Sequence, residues 1–126
     1  MTVKFLNKTI HAYLDYPVAI GLILLPFVLG LGSTGTEAVT LSVATGVAAF
    51  VLTLLTDHHL GVWRVIPFSL HEAVDGIVAI VFIAAPFVLG LSGLDAAYFW
   101  VLGLTVVAVL ALTDRSPQKA AATPSE

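Results

Sequence analysis

Four long hydrophobic stretches alternate with short polar segments along the chain. They cover residues 10–31, 37–56, 70–91 and 96–113, and each approaches the roughly 20 residues that an α-helix needs to cross the hydrocarbon core of a bilayer. The segments between them are rich in Gly, Ser and Thr or carry charges. The pattern predicts four membrane-spanning helices, followed by a polar, proline-containing tail over residues 115–126 that is expected to be disordered.

The composition explains why these helices are expected in a membrane rather than in a soluble core. Of the 126 residues, 59% are hydrophobic and only 10% are charged, whereas a soluble domain has about 25% charged residues. A chain this short leaves much of its surface exposed, so lipid is the simplest solvent for the excess apolar area. The predicted fold class is therefore all-α, a four-helix transmembrane bundle whose partner is the lipid bilayer.

The first and third stretches are copies of each other. Aligned without a gap, they share a histidine at the first position (His11 and His71) and an aspartate at the fifth (Asp15 and Asp75). Both end with the run Pro-Phe-Val-Leu-Gly-Leu. A repeat at a fixed period indicates that one structural unit has been duplicated.

Each unit is predicted to be a helical hairpin with two spans. Residues 9–57 form the first repeat and residues 69–114 the second, within a single membrane domain over residues 1–114. Because each unit has an even number of spans, both units enter the bilayer the same way up. This arrangement is a parallel repeat, related by a pseudo-two-fold axis along the membrane normal.

The distribution of basic residues predicts the orientation in the membrane. All five fall on one side of the four-span arrangement: Lys4, Lys8, Arg64, Arg115 and Lys119. Because cytoplasmic loops carry an excess of Lys and Arg, both termini and the middle loop are predicted to be cytoplasmic. A net charge of −3 argues against a nucleic-acid partner. The absence of cysteine excludes disulfides and thiolate metal sites.

Polar residues before each stretch predict the helix starts. Thr9 is the expected N-cap of the first helix, Thr36 of the second and Asp95 of the fourth. Ser69 and Glu72 have the spacing of a capping box, in which each side chain bonds a free backbone amide at the start of the third helix.

Three prolines fall inside the predicted helices and are expected to kink them. Pro26 and Pro86 occupy equivalent positions, whereas Pro17 has no counterpart in the second repeat. A helical proline leaves the carbonyl four residues earlier without its usual donor, here Leu22 and Phe82. These carbonyls need partners in lipid, so the kinks are predicted to face protein and to shape helix packing. The alternative interpretation is a gating hinge.

The paired His and Asp residues are the main candidates for chemistry. His11 and Asp15 are separated by four residues and share a helical face, as do His71 and Asp75. If both faces turn toward the pseudo-axis, two imidazoles and two carboxylates meet near the cytoplasmic surface, where they could bind a divalent metal or haem iron or relay protons. The alternative is that each Asp complements the helix dipole and its His simply donates to it.

Two further histidines lie on the same predicted side, directly after the second stretch. On a helix, His58 and His59 would point about 100° apart, so both could not easily serve one ion. They are predicted to lie in a solvated loop at the membrane interface.

Small residues mark positions where helices could approach each other closely. Ser42 and Gly46 in the second stretch and Gly103 in the fourth favour helix–helix contact in lipid.

The repeated Pro-Phe-Val-Leu-Gly resembles the motif of the SPW-repeat family of small prokaryotic membrane proteins. That family carries Ser-Pro-Trp followed by Val-Leu-Gly, usually twice. This sequence has Leu25-Pro26-Phe27 and Ala85-Pro86-Phe87 at those places. The resemblance implies four transmembrane helices in a prokaryotic cytoplasmic (inner) membrane and carries no catalytic residues over to this chain.

Three functions follow as hypotheses. The first is a non-enzymatic structural or accessory membrane protein, a subunit of a larger complex or a homo-oligomer, without a cofactor. The second is a haem- or metal-binding protein that uses His11 and His71, with Asp15 and Asp75 orienting them. The third is a small oligomeric transporter or channel, against which the absence of charged residues at mid-membrane depth argues. The sequence shows no nucleophile with a nearby base and no nucleotide-binding motif, so no enzymatic activity is predicted.

Overall fold

A computed structural model describes residues 6–58 and 60–113 of the chain. This part forms four α-helices, α1 (Lys8–Val28), α2 (Glu37–Leu55), α3 (Phe68–Leu89) and α4 (Gly93–Leu112). All four are long and apolar enough to cross a membrane. The predicted all-α, four-helix fold is therefore confirmed, while the predicted tail lies outside the described residues.

The outward surface of the bundle is apolar. Phe27 and Val28 at the end of α1, and Phe87 and Val88 at the end of α3, each expose between 66% and 79% of their surface. Contiguous apolar surface of this kind is rare on monomeric soluble proteins. It is the surface expected of helices that are solvated by lipid, and the chain is a multi-pass membrane protein.

The starts of α1 and α2 differ from the predicted caps. Asn7 precedes α1, and its side-chain oxygen accepts from the amide of Ile10 at 2.8 Å. The prediction of Thr9 as the N-cap was wrong because Asn7 begins the helix two residues earlier, which places Thr9 inside the first turn. Thr36 does occupy the N-cap position of α2, but its side chain makes no capping hydrogen bond.

The predicted caps of α3 and α4 were also wrong. Pro67 occupies the N-cap position of α3, so Ser69 and Glu72 already lie inside the helix and cannot form the predicted capping box. Proline suits a helix start because its ring sets φ near the helical value and it has no amide to satisfy. Ser92 precedes α4, and Asp95 lies in the first turn, where its carboxylate bonds another part of the chain.

Asp95 joins the two hairpins at the end of the bundle where α1 and α3 finish. Its carboxylate accepts from the amides of Gly32 and Thr34, at 2.9 and 3.0 Å, and from the Thr34 hydroxyl at 2.6 Å. Most of the buried apolar side chains lie in this half of the bundle: Leu22, Leu31, Ala38, Phe82, Leu91, Ala96, Tyr98 and Phe99. The two hairpins are therefore packed together most closely at this end.

Within each hairpin, a glycine lets the helices approach closely. A Cβ atom on Gly46 would lie 2.8 Å from the Leu22 Cβ and 2.9 Å from the carbonyl oxygen of Ala19. A Cβ atom on Gly103 would lie 3.2 Å from the carbonyl oxygen of Ala79. Thus α2 packs on α1, and α4 on α3, through a glycine that lies against the main chain of the partner helix, as the small residues predicted.

The structure also supplies a partner for the carbonyl that Pro26 leaves without its helical donor. Ser42 donates its hydroxyl to the carbonyl of Leu22 at 2.7 Å, and both Pro26 and Pro86 are buried. Pro17 also lies within α1. Both buried prolines therefore face protein, while the predicted kinks and their role in helix packing stay predictions.

Candidate metal centre

Four side chains from the two repeats meet at the end of the bundle where α1 and α3 begin and α2 and α4 finish. We call this the charged end, because Lys8 and Arg64 lie there. His11 and Asp15 come from α1, and His71 and Asp75 from α3, and each offers one ligand atom within 4.8 Å of all the others. The structure thus brings together the four candidate residues that the repeat singled out.

The nitrogen and oxygen atoms alternate around this cluster. The Nε2 atom of His11 lies 3.3 Å from Asp15 Oδ1 and 3.2 Å from Asp75 Oδ2. The Nε2 atom of His71 lies 3.2 Å from Asp15 Oδ2 and 3.3 Å from Asp75 Oδ2. Each imidazole therefore faces one carboxylate of its own helix and one of the other hairpin.

Two threonines determine which imidazole nitrogen carries the proton. The Nδ1 atom of His11 lies 3.0 Å from Thr113 Oγ1, and that of His71 lies 2.7 Å from Thr56 Oγ1. Each threonine hydroxyl already donates to a main-chain carbonyl one turn back in its own helix, at 2.6 Å. Since a hydroxyl has one proton, each Oγ1 can only accept, so both Nδ1 atoms are protonated donors.

Each threonine contacts the histidine of the other repeat. Thr113, at the end of the second hairpin, holds His11 of the first, and Thr56, at the end of the first hairpin, holds His71 of the second. The sequence analysis assigned no role to these threonines. The signal that could have found them is the recurrence of Thr-Asp directly after the second and fourth hydrophobic stretches.

Burial makes the charge balance of the cluster important. His11 and His71 are 1% and 2% exposed, and the side chains of Asp15 and Asp75 are 14% and 22% exposed. Two carboxylates in such a place require compensating positive charge. Either both imidazoles are protonated, or a divalent cation lies between neutral imidazoles and the carboxylates.

The distances are compatible with a cation. A hydrogen bond between a charged nitrogen and a carboxylate is usually about 2.7–2.9 Å long, shorter than the 3.2–3.3 Å seen here. In addition, each Nε2 could donate only one proton, yet it faces two oxygens. A tetrahedral ion with bonds of about 2.0 Å would place neighbouring ligand atoms about 3.3 Å apart. The four nitrogen–oxygen distances are of that size, with Asp15 contributing Oδ1 to one and Oδ2 to another.

An aromatic ring covers the cluster at the charged end. Phe68 lies edge-on to His11, with 5.2 Å between the ring centroids, and stacks on His71 at 6.1 Å. The ammonium group of Lys8 lies 5.4 Å from the centroid of the Phe68 ring. Phe68, at the start of α3, and Lys8, at the start of α1, thus cover the cluster at the charged end.

His58 lies beside this cover and is buried, contrary to prediction. Its side chain is only 3% exposed, with its ring centroid 6.1 Å from that of His71. The prediction of a solvated loop was wrong because the chain turns back at Thr56, which carries the ring against Phe68 and His71. Burial lowers the pKa of His58 below its ordinary value. His59 is outside the described residues.

A cavity of about 320 Å³ extends from the cluster into the bundle. All four helices line it, mostly with apolar side chains such as Val18, Ala49, Val78 and Val106. Its depth runs from the two histidines to Leu22 and Phe82 in the packed half of the bundle. The His–Asp cluster is the charged end of this space between the hairpins, whose remaining polar lining residues are Thr45, Thr53 and Thr105.

Comparison with protein families places this chain beside a known family. The family model described as the SPW repeat domain matches residues 9–114, which include both hairpins and all four residues of the cluster. Neither the curated proteins nor the solved structures contain a match to this chain.

Proposed function

We propose that this chain, which belongs to the SPW repeat family, is a non-enzymatic membrane protein that binds one divalent transition-metal ion between its two hairpins. The observation that carries the proposal is the alternating ring of two imidazole nitrogens and two carboxylates at 3.2–3.3 Å. The threonines support it, because donation from Nδ1 leaves Nε2 as the ligand atom. Metal-binding histidines commonly have such an outer partner.

Zn²⁺ is the ion that fits this donor set best. It accepts imidazole nitrogen and carboxylate oxygen at about 2.0–2.2 Å, whereas Mg²⁺ prefers six oxygen ligands in an octahedral arrangement. A bare ion is favoured over haem, because both Asp15 and Asp75 reach between the two Nε2 atoms. The carboxylates take up the space that a flat macrocycle would need.

The proposed role of the ion is structural. Structural zinc sites are closed, with all four positions filled by protein ligands, and here each hairpin would supply two. The ion would join the hairpins at the charged end, as Asp95 and the apolar core do at the other end. A structural or accessory role in the membrane follows, while homo-oligomerisation, membership of a larger complex and transport remain predictions from the sequence. The inner-membrane location with cytoplasmic termini is part of the proposal.

Metal analysis of the purified protein tests this function. The full chain, extracted in detergent without chelator, is expected to contain about one Zn²⁺ per chain. The metal-free protein is expected to take up Co²⁺ and to show the intense visible absorption of a tetrahedral site. Glu37→Gln should bind metal like the wild type, because this exposed carboxylate lies at the start of α2, at the opposite end of the bundle. It is the matched control for substitution of a carboxylate in the cluster. A protein that contains no metal and takes up neither ion would refute the proposal.

The threonines provide a separate prediction. Thr56→Val and Thr113→Val are each expected to weaken Co²⁺ affinity by about 10–100-fold, the usual effect of removing an outer-shell partner. The reason is that valine keeps the shape but cannot accept from Nδ1, so the imidazole is no longer held in the binding tautomer. Affinity is measured by titration against a competing chelator.

Thr53→Val is the matched control for these two variants. Thr53 is buried one turn before Thr56, and its hydroxyl likewise donates to a main-chain carbonyl, that of Ala49, at 2.7 Å. An equal loss of affinity in Thr53→Val would mean that the hydroxyls act on the helix rather than on the histidines.

A further inference from the structure

We infer that His58 is a transit ligand, through which the ion enters and leaves the metal centre at the charged end of the bundle. The inference rests on the proposed metal-binding function and adds to it a route and a residue that is not one of the four ligands. Three features of the described residues carry it: the unpaired ring of His58, its position beside the centre, and the apolar lining of the inner side of the centre.

The His58 ring is a buried polar group without a partner. Both of its nitrogens are inaccessible to solvent, and neither has a hydrogen-bond partner in the structure. Nearly all buried polar atoms in proteins are hydrogen-bonded, so an exception calls for a functional explanation. A neutral imidazole with a free lone pair is also the commonest protein ligand for metals such as zinc. His58 therefore has the chemistry of a ligand but no fixed bond.

The position of His58 suits temporary rather than permanent binding. Its ring lies against His71, with centroids 6.1 Å apart, but it is not part of the group of ligand atoms that lie within 4.8 Å of one another. Only one residue separates it in the chain from Thr56, which holds His71. An ion bound at His58 could thus pass to Nε2 of His71 by exchange of one ligand for the next.

The inner side of the centre does not suit the passage of a cation. The cavity there is lined mostly by apolar side chains, and entry of an ion through it would cost its hydration without replacement. At the charged end, His58 is the described imidazole that lies beside the centre without being one of its four ligands.

The two repeats differ at this position, which predicts a single route. The first repeat continues Thr56-Asp57-His58, whereas the second reads Thr113-Asp114-Arg115. Arginine stays protonated and has no lone pair to offer a metal. The two repeats are therefore alike in the four residues of the centre but differ at the position of His58, the proposed transit ligand.

Stopped-flow mixing of Co²⁺ with the metal-free full chain in detergent tests the inference. His58→Phe keeps an aromatic ring against Phe68 and His71 but removes both nitrogens. Co²⁺ association and chelator-driven release are both expected to slow by at least about tenfold, equivalent to about 1.4 kcal/mol of activation free energy. The equilibrium affinity is expected to stay the same, since a transit ligand changes rates in both directions. His59→Phe is the matched control and should leave the rates unchanged.

The outcomes separate this inference from the proposed function. If His58→Phe binds and releases Co²⁺ at the wild-type rates, the transit role is wrong and the metal centre stands. If His58→Phe loses equilibrium affinity as strongly as a variant of Asp75, His58 is a resident ligand, which also overturns the transit role. If the wild-type protein takes up no Co²⁺, the proposed function itself fails.

Discussion

Asp75→Asn is expected to lower the affinity for Zn²⁺ and Co²⁺ by more than about 100-fold, because even outer-shell substitutions at metal sites cost about 10–100-fold. A single oxygen of Asp75, Oδ2, lies 3.2 Å from Nε2 of His11 and 3.3 Å from Nε2 of His71. The amide keeps the size of the side chain but removes its charge, so a divalent ion would keep only one carboxylate. Titration of the metal-free protein with Co²⁺ against a chelator measures the loss.

The same substitution is expected to abolish most of the stabilisation of the folded bundle by Zn²⁺. An ion that binds only the folded protein, supplied at 100 times its Kd, stabilises it by about 2.7 kcal/mol. Wild-type protein should therefore resist unfolding by dodecyl sulfate more strongly with Zn²⁺ than with chelator, whereas Asp75→Asn should gain less than about 0.4 kcal/mol at the same Zn²⁺ concentration. Glu37→Gln should behave as the wild type. Equal responses of Asp75→Asn and wild type would place the ion elsewhere.

The second large effect concerns the contacts within each hairpin. Gly46→Ala and Gly103→Ala are each expected to reduce the free energy of unfolding by about 1–3 kcal/mol, as overpacking of a close-fitting core does. At Gly46, the new methyl group would lie 2.9 Å from the Ala19 carbonyl oxygen. Main chain cannot rotate away, so α1 and α2 would have to separate.

Gly76→Ala is the matched control, because it adds the same methyl group inside α3, where the nearest atom is Leu110 Cδ1 at 3.9 Å. This variant should be unchanged or more stable by up to about 1 kcal/mol, since alanine favours helix more than glycine does. Dodecyl sulfate titration in the presence of chelator, followed by tryptophan fluorescence, measures all three. Similar losses in the three variants would show that helix interiors in general, rather than the close contacts, are sensitive.

Close reading of the chain predicted the fold and the residues of the His–Asp cluster. The hydrophobic stretches predicted the number of helices, because the bilayer sets the length of a spanning segment. The copies of His and Asp at a spacing of four predicted that each pair shares a helical face, since that spacing is close to one turn. Duplication in the same orientation then placed His11 level with His71, and Asp15 level with Asp75.

The errors arose where local sequence patterns competed with tertiary contacts. Asp95 resembles a helix cap, but its carboxylate bonds the loop that contains Gly32 and Thr34 of the other hairpin. His58 resembles a solvated loop residue, but the turn after α2 buries it beside His71. Neither contact can be deduced from neighbouring residues. Asp95 bonds a loop about 60 residues earlier in the chain, and His58 lies against a residue of the next helix.

The sequence by itself determined that this protein is a doubled membrane hairpin with two His–Asp faces, because helical period and hydrophobic length are properties of a single segment. Only the tertiary structure decided that the faces meet, and that Thr113 holds His11 while Thr56 holds His71. Those bonds run between hairpins, so they depend on how the two units pack. The same packing leaves His58 buried and unbonded beside the cluster, which no periodicity in the chain could have indicated.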